Sequence, residues 1–115
     1  MTRYLVLIAY DPATWASATP EEQQEYADAH AAFEAAVDAR GRRVSSAPLA
    51  DADTATTVRH DGEHVVVTDG PFAETAEMIA GYYDVELPDL DAVIAAVALL
   101  PRSYATEIRP TIELG

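Results

Sequence analysis

The residues best placed to do chemistry crowd into one short stretch. Val65-Val66-Val67-Thr68-Asp69-Gly70-Pro71-Phe72-Ala73-Glu74 ends an apolar strand on a carboxylate, turns through Gly-Pro, and sets Phe72 and Glu74 just past the turn. Loops at the ends of well-anchored strands are where small proteins present polar groups to a ligand. Glu74 and Glu77 are three residues apart, close enough to share one helical turn. With Asp69 and His30 they could offer oxygen and nitrogen to a metal, but their spacing matches no dedicated metal motif, and a solvated acidic face is the plainer reading. No metal is expected. Phe72 and the tyrosines Tyr4, Tyr10, Tyr82 and Tyr83 could line a pocket between sheet and helices; as core aromatics they need no ligand to explain them. Arg109 could hold a substrate carboxylate or simply pair with Glu107 or Glu113. His60 and His64 flank Asp61-Gly62 and are expected to be exposed at a hairpin tip.

Composition narrows the chemistry. There is no Cys, which removes disulfides, thiolate metal sites and cysteine nucleophiles together, and no Lys, which removes Schiff-base catalysis. Acid–base work must therefore run on carboxylates, His, Tyr or Arg. The formal net charge is −13. So acidic a surface repels phosphate backbones and anionic lipid, so direct binding to nucleic acid or a membrane is not expected, and a neutral or cationic partner fits better. The charge also serves solubility alone. No apolar run reaches the roughly 20 residues of a membrane helix, and the opening residues enter a strand pattern at once, so a cytoplasmic location is expected.

The 115 residues suffice for one domain, 1–115, with one continuous core. Residues 3–10 are apolar at nearly every position, which predicts a strand covered on both faces. Asp11-Pro12 ends it, and residues 13–18, with the single Trp15, are expected to be a loop. Thr19-Pro20-Glu21-Glu22 starts a helix with an N-cap, a proline at the first position and a capping box. That helix should run to Arg40 and stop at Gly41. Its stripe holds Tyr26, Phe33 and Val37, and His30 lies on the same stripe one turn after Tyr26.

Short strands are expected at 43–49 and 54–60, the second meeting residues 63–68 across Asp61-Gly62. A longer strand follows from Ile79 to Leu87. Asp89 caps a second helix whose stripe is Leu90, Val93, Ile94 and Val97. A last strand, about 105–114, contains Pro110 and so belongs at an edge or a bulge. The order predicts an α+β fold, a ferredoxin-like split βαβ with an added β-hairpin. Two helices cover only one sheet face, while the strands at 4–10 and 79–87 carry apolar groups on both. A homodimer packed sheet on sheet would cover the second face.

The chain resembles the YCII-related proteins, and more closely their DGPF-motif branch. The resemblance rests on the strand Arg3 to Tyr10, the helix ending Phe33…Gly41, the block Val65 to Thr75, Glu77, Gly81-Tyr82-Tyr83 and Ile108-Arg109-Pro110. It implies a dimeric α+β barrel, with no activity established for most members; separately, the absence of Lys and Asn and the abundance of Ala suit a GC-rich bacterial genome. The resemblance also implies a catalytic pair: His30 occupies the position of the family's helix histidine, and Asp69 that of the aspartate before Pro-Phe. One departure is that Thr75-Ala76-Glu77 stands where the branch commonly reads Thr-Lys-Glu, removing a cation that could meet an anion.

Two functions follow as expectations. In the first, the protein is a cofactor-free small-molecule enzyme in which His30 shuttles a proton, Asp69 orients it, and Phe72, Glu74, Tyr83 and Arg109 bind a small polar or lactone-like substrate. The same His–Asp pair would otherwise only brace helix to sheet. In the second, the protein is a non-catalytic ligand-binding or regulatory module, and the resemblance to companions of extracytoplasmic-function sigma factors makes a sigma factor its partner.

Overall fold

The computed structural model describes residues 1–73 and 77–114. Among these, the chain forms a mixed α+β fold with antiparallel sheets and three helices. The opening strand, β1 (Thr2–Tyr10), buries Tyr4, Val6 and Ile8 on one face and leaves Leu5 and Leu7 half-buried on the other. It is followed by a short helix, α1 (Pro12–Ala16), where a loop was expected. Asp11 explains the difference, because its side chain accepts from the Ala13 N–H and Pro12 takes the first helical position.

The long helix α2 (Pro20–Arg40) begins as predicted. Thr19 Oγ1 accepts from the Glu22 N–H while Glu22 reaches back to the Thr19 N–H, both at 3.1 Å. It ends at Gly41, whose N–H bonds the Val37 carbonyl. Any Cβ at Gly41 would overlap the Glu86 carbonyl oxygen, so the glycine is there for closeness of approach.

Strand β2 (Arg42–Pro48) pairs with β5 (Met78–Leu87), β5 pairs with β1, and β1 pairs with β6 (Ala105–Pro110), every pair antiparallel. The four-stranded sheet therefore has the order β2-β5-β1-β6. β6 lies at its edge, where Pro110 costs no ladder bond. The strand stops there rather than reaching 114; Ile112 and Leu114 lie beyond it and are exposed. Helix α3 (Leu90–Val97) is capped by Asp89 as expected, but it turns Ala92, Val93 and Ala96 inward and leaves Leu90 and Ile94 facing outward. The small alanines let the helix lie close to its neighbours, a rotation that hydrophobicity alone does not reveal.

Phe33 and Val37 from α2, Val93 from α3, and Val6, Val85 and Leu87 from the sheet form a core with both helices on one face of the sheet. The opposite face carries cross-strand ion pairs, Arg3–Asp84 at 2.8 Å and Arg42–Glu86 at 2.9 Å. Beside Arg3 the Asp84 carboxyl is held below its ordinary range. Exposed pairs of this kind add little stability but favour one register.

Strands β3 (Thr56–Asp61) and β4 (His64–Asp69) form a separate two-stranded ribbon. The turn between them is Gly62-Glu63, one residue later than predicted, with Gly62 at φ +60° in the position that a tight hairpin turn reserves for positive φ. The radius of gyration, 16.3 Å, exceeds the roughly 13 Å of a compact chain this long, as expected when a ribbon stands off the main body.

Candidate functional site

Where α2 crosses the sheet, His30 faces the middle of β5 and the segment leading into β6. Its half-buried ring has both nitrogens engaged: Nδ1 lies 2.8 Å from the Tyr83 hydroxyl and Nε2 lies 2.9 Å from the Tyr104 hydroxyl. Tyr83 in turn donates to Glu34 Oε2 at 2.8 Å. Arg43 Nη1 donates to the other oxygen, Oε1, at 2.8 Å, and the same guanidinium grips Asp38. A continuous chain thus runs from Arg43 through Glu34, Tyr83 and His30 to Tyr104.

Local structure explains the alignment. His30 and Glu34 are four apart on α2 and so share a face, while Tyr83 points to the helix side of β5 together with Val85 and Leu87. Tyr104 is held by its neighbours: Tyr10 stacks on it with centroids 5.4 Å apart, and Tyr26 lies at 5.9 Å. Phe33 packs against Tyr83 at 4.6 Å.

The chain borders a cavity of about 340 Å³ that also touches Tyr10, Ser46 and Tyr82. Burial pushes the His30 imidazole below its ordinary value of 6.5, and nearby Glu34 offsets this only in part, so the ring is neutral at pH 7. Burial also pushes the Tyr104 phenol up to about 12, and burial with the Glu34 hydrogen bond drives Tyr83 upward as well. Neutral groups of this kind, linked by short hydrogen bonds, can pass a proton without holding a net charge at rest.

The predicted site residues are not assembled together. Asp69 is exposed at the end of β4, in the other sheet, and with both ring nitrogens of His30 taken by tyrosines the expected His30–Asp69 hydrogen bond is not formed. Gly70 takes φ +114° at the turn and its carbonyl accepts from Thr57 Oγ1, so the turn is fixed to the ribbon rather than to the His30 cavity. Phe72 is 73 % exposed and borders a second, more apolar cavity of about 610 Å³ with Leu49, Pro71 and Ile79. Glu74 lies outside the described residues. Arg109 is exposed and pairs with Glu107 at 3.2 Å. Tyr83 is the predicted binding residue that does meet His30.

Glu34 and Tyr104 were not predicted. Glu34 carries a usable signal in its i+4 spacing from His30; Tyr104 sits in an irregular segment before β6, and no periodicity marks it. Among the described residues no three His, Asp or Glu groups come together to hold a metal ion. No helix among them is long and apolar enough to cross a membrane.

The sequence matches the model of the YCII-related domain over residues 2–113. It is also 29 % identical over 111 residues to an uncharacterised protein of Rhizobium meliloti (strain 1021), covering 93 % of this chain and 90 % of that one.

Proposed function

Since the chain belongs to the YCII-related domain family, we propose that its His30 cavity binds a small polar molecule and moves a proton on it without a cofactor. The observation that carries this reading is the imidazole itself, hydrogen-bonded on both sides at the wall of a cavity large enough for a ligand of a few carbons. In this reading His30 is the proton acceptor, Tyr104 and Tyr83 are its contacts, and Glu34 takes the orienting part first expected of Asp69. Within the family, the run Asp69-Gly70-Pro71-Phe72 supports membership of the DGPF branch.

The sheet order β2-β5-β1-β6, with both long helices on one face, supports a ferredoxin-like split βαβ with an added hairpin. The half-buried Leu5, Leu7 and Tyr82 on the other face support a homodimer of barrel type. Light scattering at micromolar concentration should return twice the 12.4 kDa chain mass, and a monomer would remove the barrel.

The function is tested by following wild-type and His30→Ala protein by NMR and thermal shift against a panel of small acids, lactones and hydroxy compounds, with each binder then assayed for turnover. Binding that perturbs Tyr83 and Tyr104 and disappears in His30→Ala is the expected result. Binding without turnover would make the site a ligand sensor, and a panel with no binder at this cavity would sink the reading.

A further inference from the structure

The hydrogen-bond chain has a direction, and the direction selects the ligand. Glu34 receives Arg43 Nη1 on one oxygen and the Tyr83 hydroxyl on the other, so it stands as an acceptor at both. A phenol has one proton. Tyr83 spends it on Glu34 and can only accept from His30, which must therefore carry its hydrogen on Nδ1. A neutral imidazole protonated on Nδ1 has a bare Nε2, and Tyr104 fills it with its own single proton. The Tyr104 oxygen is left with lone pairs at the cavity wall. No arginine is among the residues lining that wall, and the carboxylate of Glu34 is.

We propose that Glu34, acting through Tyr83, locks His30 as the Nδ1–H tautomer, so that Tyr104 faces the cavity as a hydrogen-bond acceptor and the site takes neutral molecules bearing an acidic O–H or N–H group. This rests on reading the cavity as a small-molecule site and narrows the substrate class. When the bound donor X–H reacts, its proton goes to the Tyr104 oxygen and the electron pair of the bond stays on X. In the same step the Tyr104 proton passes to His30 Nε2. Tyr104 ends neutral, the imidazolium balances the charge on X, and its Nδ1–H still points through Tyr83 toward Glu34. Tyr104 is the catalytic residue that touches substrate; Glu34 and Tyr83 are positioning residues. The stacking of Tyr10 on Tyr104 holds the phenol in place for the transfer.

The test reads the tautomer directly and needs no turnover. Long-range ¹H–¹⁵N correlation on the full chain with labelled histidine, at pH 8, should show His30 protonated on Nδ1 with a bare Nε2. In Glu34→Gln the amide oxygen turns to Arg43 and its N–H₂ donates to Tyr83. The relay then reverses, and the proton should be found on Nε2. A wild-type ring carrying its hydrogen on Nε2 overturns the inference while leaving the cavity reading standing; an unchanged tautomer in Glu34→Gln overturns the part given to Glu34. For the ligand class, phenol and benzoate are titrated as probes. Phenol should bind at least about tenfold more tightly than benzoate, a difference of about 1.4 kcal/mol, and Tyr104→Phe should erase the preference. Benzoate binding as well as phenol overturns the ligand class.

Discussion

The His30 cavity and the β3–β4 ribbon treat their side chains in opposite ways. Around His30 the polar groups of four separate segments are matched atom to atom, and no buried side-chain polar atom among the described residues lacks a partner. On the ribbon, Val58, Val65 and Val67 are more than half exposed, and both faces are open. A two-stranded ribbon is at best marginally stable alone. The hydrogen bonds around His30 are thus satisfied within one chain, whereas the ribbon holds apolar surface that one chain does not cover. The motif that stands out in the sequence belongs to the second region, and the chemistry that the fold assembles belongs to the first.

The largest test of that contrast is at the core beneath the cavity. Phe33 is fully buried and supports the Tyr83 ring. Phe33→Ala should cost about 3–5 kcal/mol in urea unfolding and loosen the His30 contacts with it. A loss under about 1 kcal/mol would mean that the cavity is not anchored to the core as the packing requires.

Next is the chain of hydrogen bonds. Tyr83→Phe keeps the ring packing but leaves His30 Nδ1–H and Glu34 Oε2 each without a partner at a half-buried site, which should cost about 1–3 kcal/mol. Water entering the cavity would bring the loss toward the lower figure. Tyr82→Phe, on the neighbouring residue whose side chain points to the other sheet face, serves as the control and should change stability by less than about 0.5 kcal/mol.

The pH dependence has a defined sign. His30 is held below its ordinary value of 6.5 by burial, so below about that pH the unfolded chain binds a proton that the folded chain does not. Stability should therefore fall as the solution is acidified from 6.5 to the folded-state pKa, and His30 should contribute no slope above 6.5. The groups facing the ring are Glu34 on its own helix, Tyr83 from β5 and Tyr104 before β6. Of these only Glu34 carries charge, and it favours the imidazolium. In His30→Gln the stability loss between pH 6.5 and 5 should be shallower than in the wild type. An unchanged slope would mean that His30 does not titrate as its burial requires, since a carboxylate such as Asp84, which Arg3 holds below its ordinary 3.8, loses its contribution only in more acid solution.

How much could be read from the sequence follows the range of the signal. Thr19, Pro20 and Glu22 specify their helix start through contacts within four residues, and they appear in the fold as predicted. His30 is legible because it shares a helical stripe with Phe33 and Val37. Its partners were another matter, since Tyr83 and Tyr104 lie 53 and 74 residues away and only the sheet register brings them to the ring. Asp69 is marked in the sequence by a local turn, and the local turn is what forms: Gly70 adopts positive φ and closes onto Thr57. Where that turn then stands relative to His30 depends on the ribbon as a whole. The rotation of α3 failed to show for a related reason, since its inward alanines, Ala92 and Ala96, score below Leu90 and Ile94 in hydrophobicity yet fit closer to their neighbours.

The smallest expected effect is the most discriminating for the ribbon. Val67 is 62 % exposed, so Val67→Thr, which keeps the β-branched shape, should alter the stability of an isolated chain by less than about 0.5 kcal/mol. If a second copy covers the ribbon, the hydroxyl enters an apolar contact and the cost appears in association instead. Unfolding midpoints measured at two protein concentrations about a hundredfold apart separate the cases, because only an associating protein gains stability with concentration. A concentration-dependent midpoint in the wild type that weakens in Val67→Thr places the ribbon in the contact. A midpoint that depends on concentration equally in both proteins moves the contact to the open sheet face around Leu5 and Leu7, and the exposed valines then belong to a ribbon that stands free in the dimer as well.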